Sequence, residues 1–259
     1  MSRQQEVIKF LIEELKKNDG VKSLFLKGSL ASDTGDEYSD VDFYCLVDEK
    51  HYDELLKKRE MIVKKYKPIV YQSYVNFGHP QIIVIYDNNL HLDLYIVKEV
   101  PVNGRDYIKA LYDPNNLLNA YKKEVRLDDD HLIIEHLSDV IYTFHELDIA
   151  IKRKDDLWAM RLLSHMMADL SLVLCTMYES EKPVLHMKGI YHKLPETLKL
   201  KVDDILEVMT PKYIVSCINK VISLVDEIIS SQTTQVKEQL DTTYLTYIKT
   251  EVFKSEKGL

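Results

Sequence analysis

The sequence predicts an α+β protein: a mixed sheet with flanking helices over residues 1–125, then an all-helical domain over residues 126–259. Three observations carry this. Before about residue 125, short apolar segments rich in Val, Ile, Phe and Tyr alternate with turn residues and two amphipathic helices. After it, helical periodicity runs long, over 131–152 and 156–178. Glycine is nearly absent from that second part, as a helix bundle requires. The stretch "VRLDDDH" at 125–131 is the expected boundary.

The elements follow in order. "RQQEVIKFLIEELKKN", residues 3–18, reads as an amphipathic helix with Val7, Leu11 and Leu15 at intervals of four. Lysines gather at its C-terminal end, where the helix dipole favours cations, and Gly20 stops it. "VKSLFLK" is a strand, as is "DVDFYCLV", and the acidic loop "SDTGDEYS" joins them. "EKHYDELLKKREMIVKKY" is a charged helix closed by Pro68. "IVYQSYVNF" is a third strand. "QIIVIY" and "LHLDLYIV" form a hairpin across "DNN", because Asn tolerates the positive φ of such turns. Further helices are expected at 195–208, 212–231 and 235–254, punctuated by Pro183, Pro195 and Pro211.

Composition narrows the function. With 46% hydrophobic and 29% charged residues the chain has the balance of a globular protein. A net charge of −8 opposes broad nucleic-acid binding, which needs Lys and Arg to neutralise phosphates. No apolar run of membrane-span length and no signal-peptide pattern are evident. Cys45, Cys175 and Cys217 are scattered in apolar contexts, so buried free thiols and a cytoplasmic location are expected. No spacing of Cys and His points to a metal, and the nine histidines show no pairing for catalysis or zinc.

The chemistry concentrates in "KGSLASDTGDEYSDVDFYCLV", residues 27–47. In an extended strand alternate residues share a face, so Asp40 and Asp42 point the same way, with Tyr44 and Leu46 continuing that face. An isolated Asp-x-Asp is usually a solvated edge. Here it leads into a strand that becomes apolar on both sides, where paired carboxylates are costly without a cation. Mg²⁺, a hard ion that takes a few carboxylates plus substrate phosphates, is the expected partner. Asp93, between Leu92 and Leu94 in the most apolar strand, is a third acid of this kind. Gly28-Ser29 directly follows a strand, so the backbone there can approach a phosphate and Ser29 can cap the turn or donate to a phosphate oxygen.

Gly28-Ser29, ten residues, Asp40-x-Asp42 and the later Asp93 together resemble the nucleotidyltransferases of the DNA polymerase β superfamily. "GSLASDTGDEYSDVDFY" is most similar to the lincosamide nucleotidyltransferases, with the aminoglycoside adenylyltransferases somewhat more distant. The resemblance covers residues 22–47 and 90–97, and the helical C-terminal half fits the general architecture without a motif of its own. It implies a nucleotidyltransferase-type sheet and a Mg²⁺-dependent enzyme. Such an enzyme moves an NMP, AMP from ATP in the first instance, onto a hydroxyl of a small molecule such as an antibiotic. On this resemblance Asp40, Asp42 and Asp93 are metal ligands and catalytic residues, and Gly28, Ser29 and Ser39 contact the nucleotide.

Asp93 is the expected general base, with Glu146 in "TFHELDIAI" as the alternative. Lys152, Arg153 and Lys154 read as cations favoured at a helix C-terminus. A protein or RNA acceptor, and an inactive nucleotide-binding module, are the competing functions. Monomer and homodimer both stay open.

Overall fold

The computed structural model describes residues 2–76, 78–100, 107–121, 129–178 and 189–253. The chain divides into two compact units, Met1–Val125 and Arg126–Leu259.

In the first unit, α1 (Arg3–Leu15) opens with a reciprocal cap, Ser2 accepting from the Gln5 amide while the Gln5 side chain accepts from the Ser2 amide. The strand β1 (Val21–Leu26) runs into a one-turn helix, α2 (Gly28–Ala31), and the loop after it leads to β2 (Val41–Val47). Asp48 caps α3 (Glu49–Lys64), and β3 (Ile69–Asn76), β4 (Pro80–Tyr86) and β5 (His91–Val97) follow. The β4–β5 turn places Asn89 at φ 57, as the "DNN" reading expects. A sixth strand, β6 (Lys109–Tyr112), falls where no element is expected from the sequence, because it is short, half-exposed and defined only by its pairing with β1.

The six strands form one mixed sheet in the order β3-β4-β5-β2-β1-β6. Only β2 and β5 are parallel; their register sets Asp42 opposite Asp93 and Tyr44 opposite Tyr95. Strand alternation then divides the sheet into two faces. One is covered by α1 and α3: Val7, Leu11, Leu15, Leu55, Ile62 and Val63 pack with Val41, Phe43, Cys45, Leu92, Leu94 and Ile96. The other carries a smaller cluster around Phe25, Tyr44, Leu46, Val97 and Leu118. Asp42 and Asp93 belong to this second face, at the end of the sheet where the two parallel strands begin.

The second unit is helical: α4 (Asp129–Lys152), α5 (Asp156–Tyr178), α6 (Glu196–Val208), α7 (Ile214–Ser231), α8 (Thr234–Gln239) and α9 (Thr243–Tyr247). Its core joins Leu137, Phe144, Leu163, Leu170, Val221 and Val225, among others. By length and composition α5 is apolar enough to cross a membrane, contrary to the sequence reading; here most of its apolar side chains are buried in this core. The helix expected over 235–254 is broken into α8, α9 and a π-helical turn at Ile248–Val252. Leu240 is extended and the Asp241 carboxylate accepts from the Thr243 amide, a local bond that competes with continuing the helix. Pro183, residue 254 and most of the expected boundary stretch lie outside the described residues. The three cysteines are buried and free, as the sequence indicates.

Candidate active site

The site is built on neighbouring strands of the second sheet face. At its rim the Lys27 amide donates to the Asp42 carbonyl at 3.1 Å, which ties the end of β1 to the start of β2. The chain then turns through Gly28 at φ +68, a left-handed conformation that side chains disfavour. A β-carbon built on Gly28 would stand 2.3 Å from Oδ2 of Asp42. Glycine is thus required twice, by the backbone angle and by the carboxylate against it. Gly28 and Ser29 start α2, as the turn reading expects.

Asp42 is half-buried and lies beside Asp93, its register partner on the parallel strand β5. Asp93 is buried, at 8% exposure. Asp40 sits one residue ahead of β2. His91 connects them: its Nε2 lies 2.9 Å from Oδ1 of Asp93, and its Nδ1 lies 4.0 Å from Oδ2 of Asp40. The hydrogen bond to Asp93 raises the imidazole above its ordinary pKa, and the negative charges of Asp93, Asp40 and Asp42 add to it against burial. The same three carboxylates, after burial, push the Tyr95 phenol upward. Asp40, Asp42 and Asp93 therefore act on one small region around His91 and Tyr95.

Behind the carboxylates is an aromatic row. Phe25, Tyr44 and Tyr95 are register partners on β1, β2 and β5. Their rings stack at 5.1 Å (Phe25 to Tyr44) and 4.2 Å (Tyr44 to Tyr95) between centroids. Lys27 is 5% exposed, and its Nζ lies 5.4 Å from the Tyr44 centroid. A cation over an aromatic face in a partly dry site is favourable.

Asp40 is positioned from a distance in the sequence. The Gln4 side-chain amide, 3% exposed in residue terms, donates to the carbonyls of Asp36, Glu37 and Ser39 at 3.1, 3.1 and 3.2 Å. Arg3 adds bonds to the Glu37 carbonyl at 2.6 Å and the Asn88 carbonyl at 3.0 Å. The hydroxyl of Ser39 is engaged within this loop: it accepts from the Asp36 amide at 2.9 Å and donates to its carboxylate at 3.1 Å.

Glu146 lies on α4 in the second unit, its Oε1 3.5 Å from the Tyr142 hydroxyl. Lys152 pairs with Asp148 at 2.6 Å, which supports the helix-end reading of that cationic run. His145 meets the Tyr244 hydroxyl at 3.1 Å.

Sequence reasoning did not assign Lys27, His91 or Gln4. The first two carry a signal that the alternation rule could have found, since Lys27 shares a face with Phe25 and His91 with Asp93. Gln4 carries none, because its acceptors are backbone carbonyls more than thirty residues away.

The donors offered here are carboxylate oxygens, those of Asp42 and Asp93 on neighbouring strands and of Asp40 just ahead of β2, the chemistry that Mg²⁺ takes. Like-charged acids side by side on parallel strands are what a divalent cation compensates. The residues present fit that ion.

The family model described as "Nucleotidyltransferase domain" matches residues 8–141, just over half of the chain. Comparison with curated protein sequences finds no match. Among solved structures, an aminoglycoside 6-adenyltransferase from Bacillus subtilis aligns over 92% of this chain and 95% of that one, at 11% identity and a TM-score of 0.33.

Proposed function

The chain belongs to the nucleotidyltransferase domain family and is a nucleotidyltransferase enzyme, and from that premise we propose that it transfers AMP from ATP, with Mg²⁺, to a hydroxyl of a small molecule. The observation that carries this reading is the pairing of Asp42 with Asp93 across parallel strands, with His91 joining Asp93 to Asp40.

Asp40, Asp42 and Asp93 are the residues that would hold Mg²⁺. When bound, the ion supplies charge stabilisation for the attacking and leaving oxygens of an in-line displacement. The acceptor oxygen forms a bond to the α-phosphorus, the bond to the bridging oxygen of the β-phosphate breaks, and pyrophosphate leaves. The acceptor's proton passes to the Asp93 carboxylate. His91 holds Asp93 in place through Oδ1. Gly28 lets the phosphates approach the backbone beside Asp42, and Ser29 is the hydroxyl assigned to the nucleotide, whereas Ser39 would first have to give up its bond to the Asp36 carboxylate. Lys27 contributes positive charge at the same rim.

The acceptor class favoured is a lincosamide or aminoglycoside antibiotic. The motif in residues 28–44 supports it, and a net charge of −8 suits a cationic aminoglycoside better than an RNA. This would make the enzyme one of antibiotic resistance, working in the cytoplasm, where its free thiols stay reduced.

Mass spectrometry of a lincosamide and aminoglycoside panel incubated with enzyme, Mg²⁺ and each NTP tests this. The expected product carries the mass of one AMP. Labelling of a protein or an RNA end instead, with every panel compound unchanged, would refute the acceptor assignment.

A further inference from the structure

The helical unit holds a second group of metal-ligating side chains that the transfer reaction does not use. His136 and Asp139 lie one turn apart on α4 and so project to the same side. Asp169 of α5 meets them, and one donor atom from each of the three lies within 4.8 Å of the others.

Asp169 is the unusual member. Its side chain is 8% exposed. Oδ1 lies 3.2 Å from Nδ1 of His136, within hydrogen-bond reach. Oδ2 is buried without a hydrogen-bond partner. Nε2 of His165, one turn earlier on α5, lies 3.6 Å from Oδ2, close enough for charge attraction but too far for a hydrogen bond. Burial pushes the Asp169 carboxyl upward and Asp139 adds a like charge, while His165 and His136 oppose them. A buried carboxylate with an orphaned oxygen and a second acid beside it is costly unless a cation completes the group.

We propose that His136, Asp139 and Asp169 form a structural site for a first-row divalent transition ion, of which Zn²⁺ is the natural probe, clamping α4 to α5. An imidazole nitrogen among the donors selects such an ion over Mg²⁺ or Ca²⁺. Ligands on a tetrahedral Zn²⁺ at about 2.0–2.1 Å stand roughly 3.4 Å apart. The His136–Asp169 separation of 3.2 Å is close to that spacing. Asp139 is exposed and closes the remaining gap by rotating its side chain. On binding, His136 exchanges its contact with Asp169 for the ion, any proton on the ligating nitrogen goes to solvent, and His165 stays as the charge partner of the carboxylate. This site is independent of the transfer reading.

Calorimetric titration of the chelator-stripped full chain with Zn²⁺ tests the site, using Asp40→Asn/Asp42→Asn protein so that those carboxylates do not contribute. One equivalent should bind and raise Tm, because a ligand held only by the folded state stabilises it. His136→Gln and Asp139→Asn should each weaken binding by about a hundredfold. Asp139 is on the surface, so its replacement reads out binding even if His136→Gln fails to fold. Absence of a bound equivalent, or binding unchanged by Asp139→Asn, would overturn the site.

Discussion

Oδ2 of Asp42 occupies the place where any side chain on Gly28 would begin, 2.3 Å from its ideal β-carbon. Gly28→Ala should therefore displace the carboxylate and strain a backbone angle of +68° at once. Urea melts should show a loss of about 1–2 kcal/mol, the cost of a left-handed L-residue. Pyrophosphate release should fall by about a hundredfold or more, as misplacement near the chemistry commonly costs. A variant with near-parental turnover would show that Asp42 does not need its position.

Asp40→Asn and Asp42→Asn should each abolish most transfer while leaving Tm close to that of the parent, because neither side chain supports the core. ATP affinity in calorimetry should fall by at least about tenfold when EDTA replaces Mg²⁺, since the carboxylates then face a triphosphate uncompensated. Unchanged affinity in EDTA would contradict the metal assignment.

The general base is tested by comparing three residues. Proton abstraction by a positioned carboxylate contributes about 10²–10⁴-fold, so Asp93→Asn should lose that much in kcat. If Asp93 is base alone, Mg·ATP affinity holds; if it is also a ligand, both fall. Glu146→Gln should stay within a few-fold of the parent. His91→Gln, which keeps a donor for Asp93, should retain more activity than His91→Ala. Abolition by Glu146→Gln with Asp93→Asn still active would reverse the assignment.

The aromatic row supports the carboxylates from behind. Phe25 is fully buried, and Phe25→Ala should cost about 3–5 kcal/mol in chemical denaturation. Phe25→Leu should cost much less, because it keeps most of the volume while losing the ring contact with Tyr44.

Glu60 of α3 offers a local test of acid stability. Hydrogen bonds from Lys64, then Tyr74 and Gln72, pull Glu60 down to about 2 from its ordinary 4.5. A carboxyl depressed in the folded state stabilises above its unfolded pKa, and that contribution is lost as pH falls. The Tm gap between parent and Glu60→Gln should be widest above pH 4.5 and close as pH approaches about 2. A constant gap across that range would separate Glu60 from the pH dependence.

The mixed sheet, its early strands and the long helices were legible because periodicity reports which face is buried. Asp42 and Asp93 stand out for the opposite reason: each interrupts an apolar strand, where a carboxylate is costly without a charge partner, whereas Asp40 lies just ahead of β2 and was expected on the strand itself. The β6 strand was not legible, since its four residues owe their extended form to β1. Nor was the break after α8, where Asp241 and the neighbouring threonines outcompete a helix that the apolar spacing favours. The pairing of His136 with Asp169 joins positions on two helices, and spacing within either one cannot report it.

Gln4 and Arg3 hold the loop ahead of Asp40 through main-chain oxygens alone. A carbonyl is the same whichever amino acid bears it. The side chains of Glu37 and Tyr38 can therefore vary while the carboxylate the loop delivers stays in register, so long as Asp36 and Ser39 keep their mutual bonds. The constraint falls as well on Gln4 and Arg3, two residues that an inspection of the reaction chemistry would pass over.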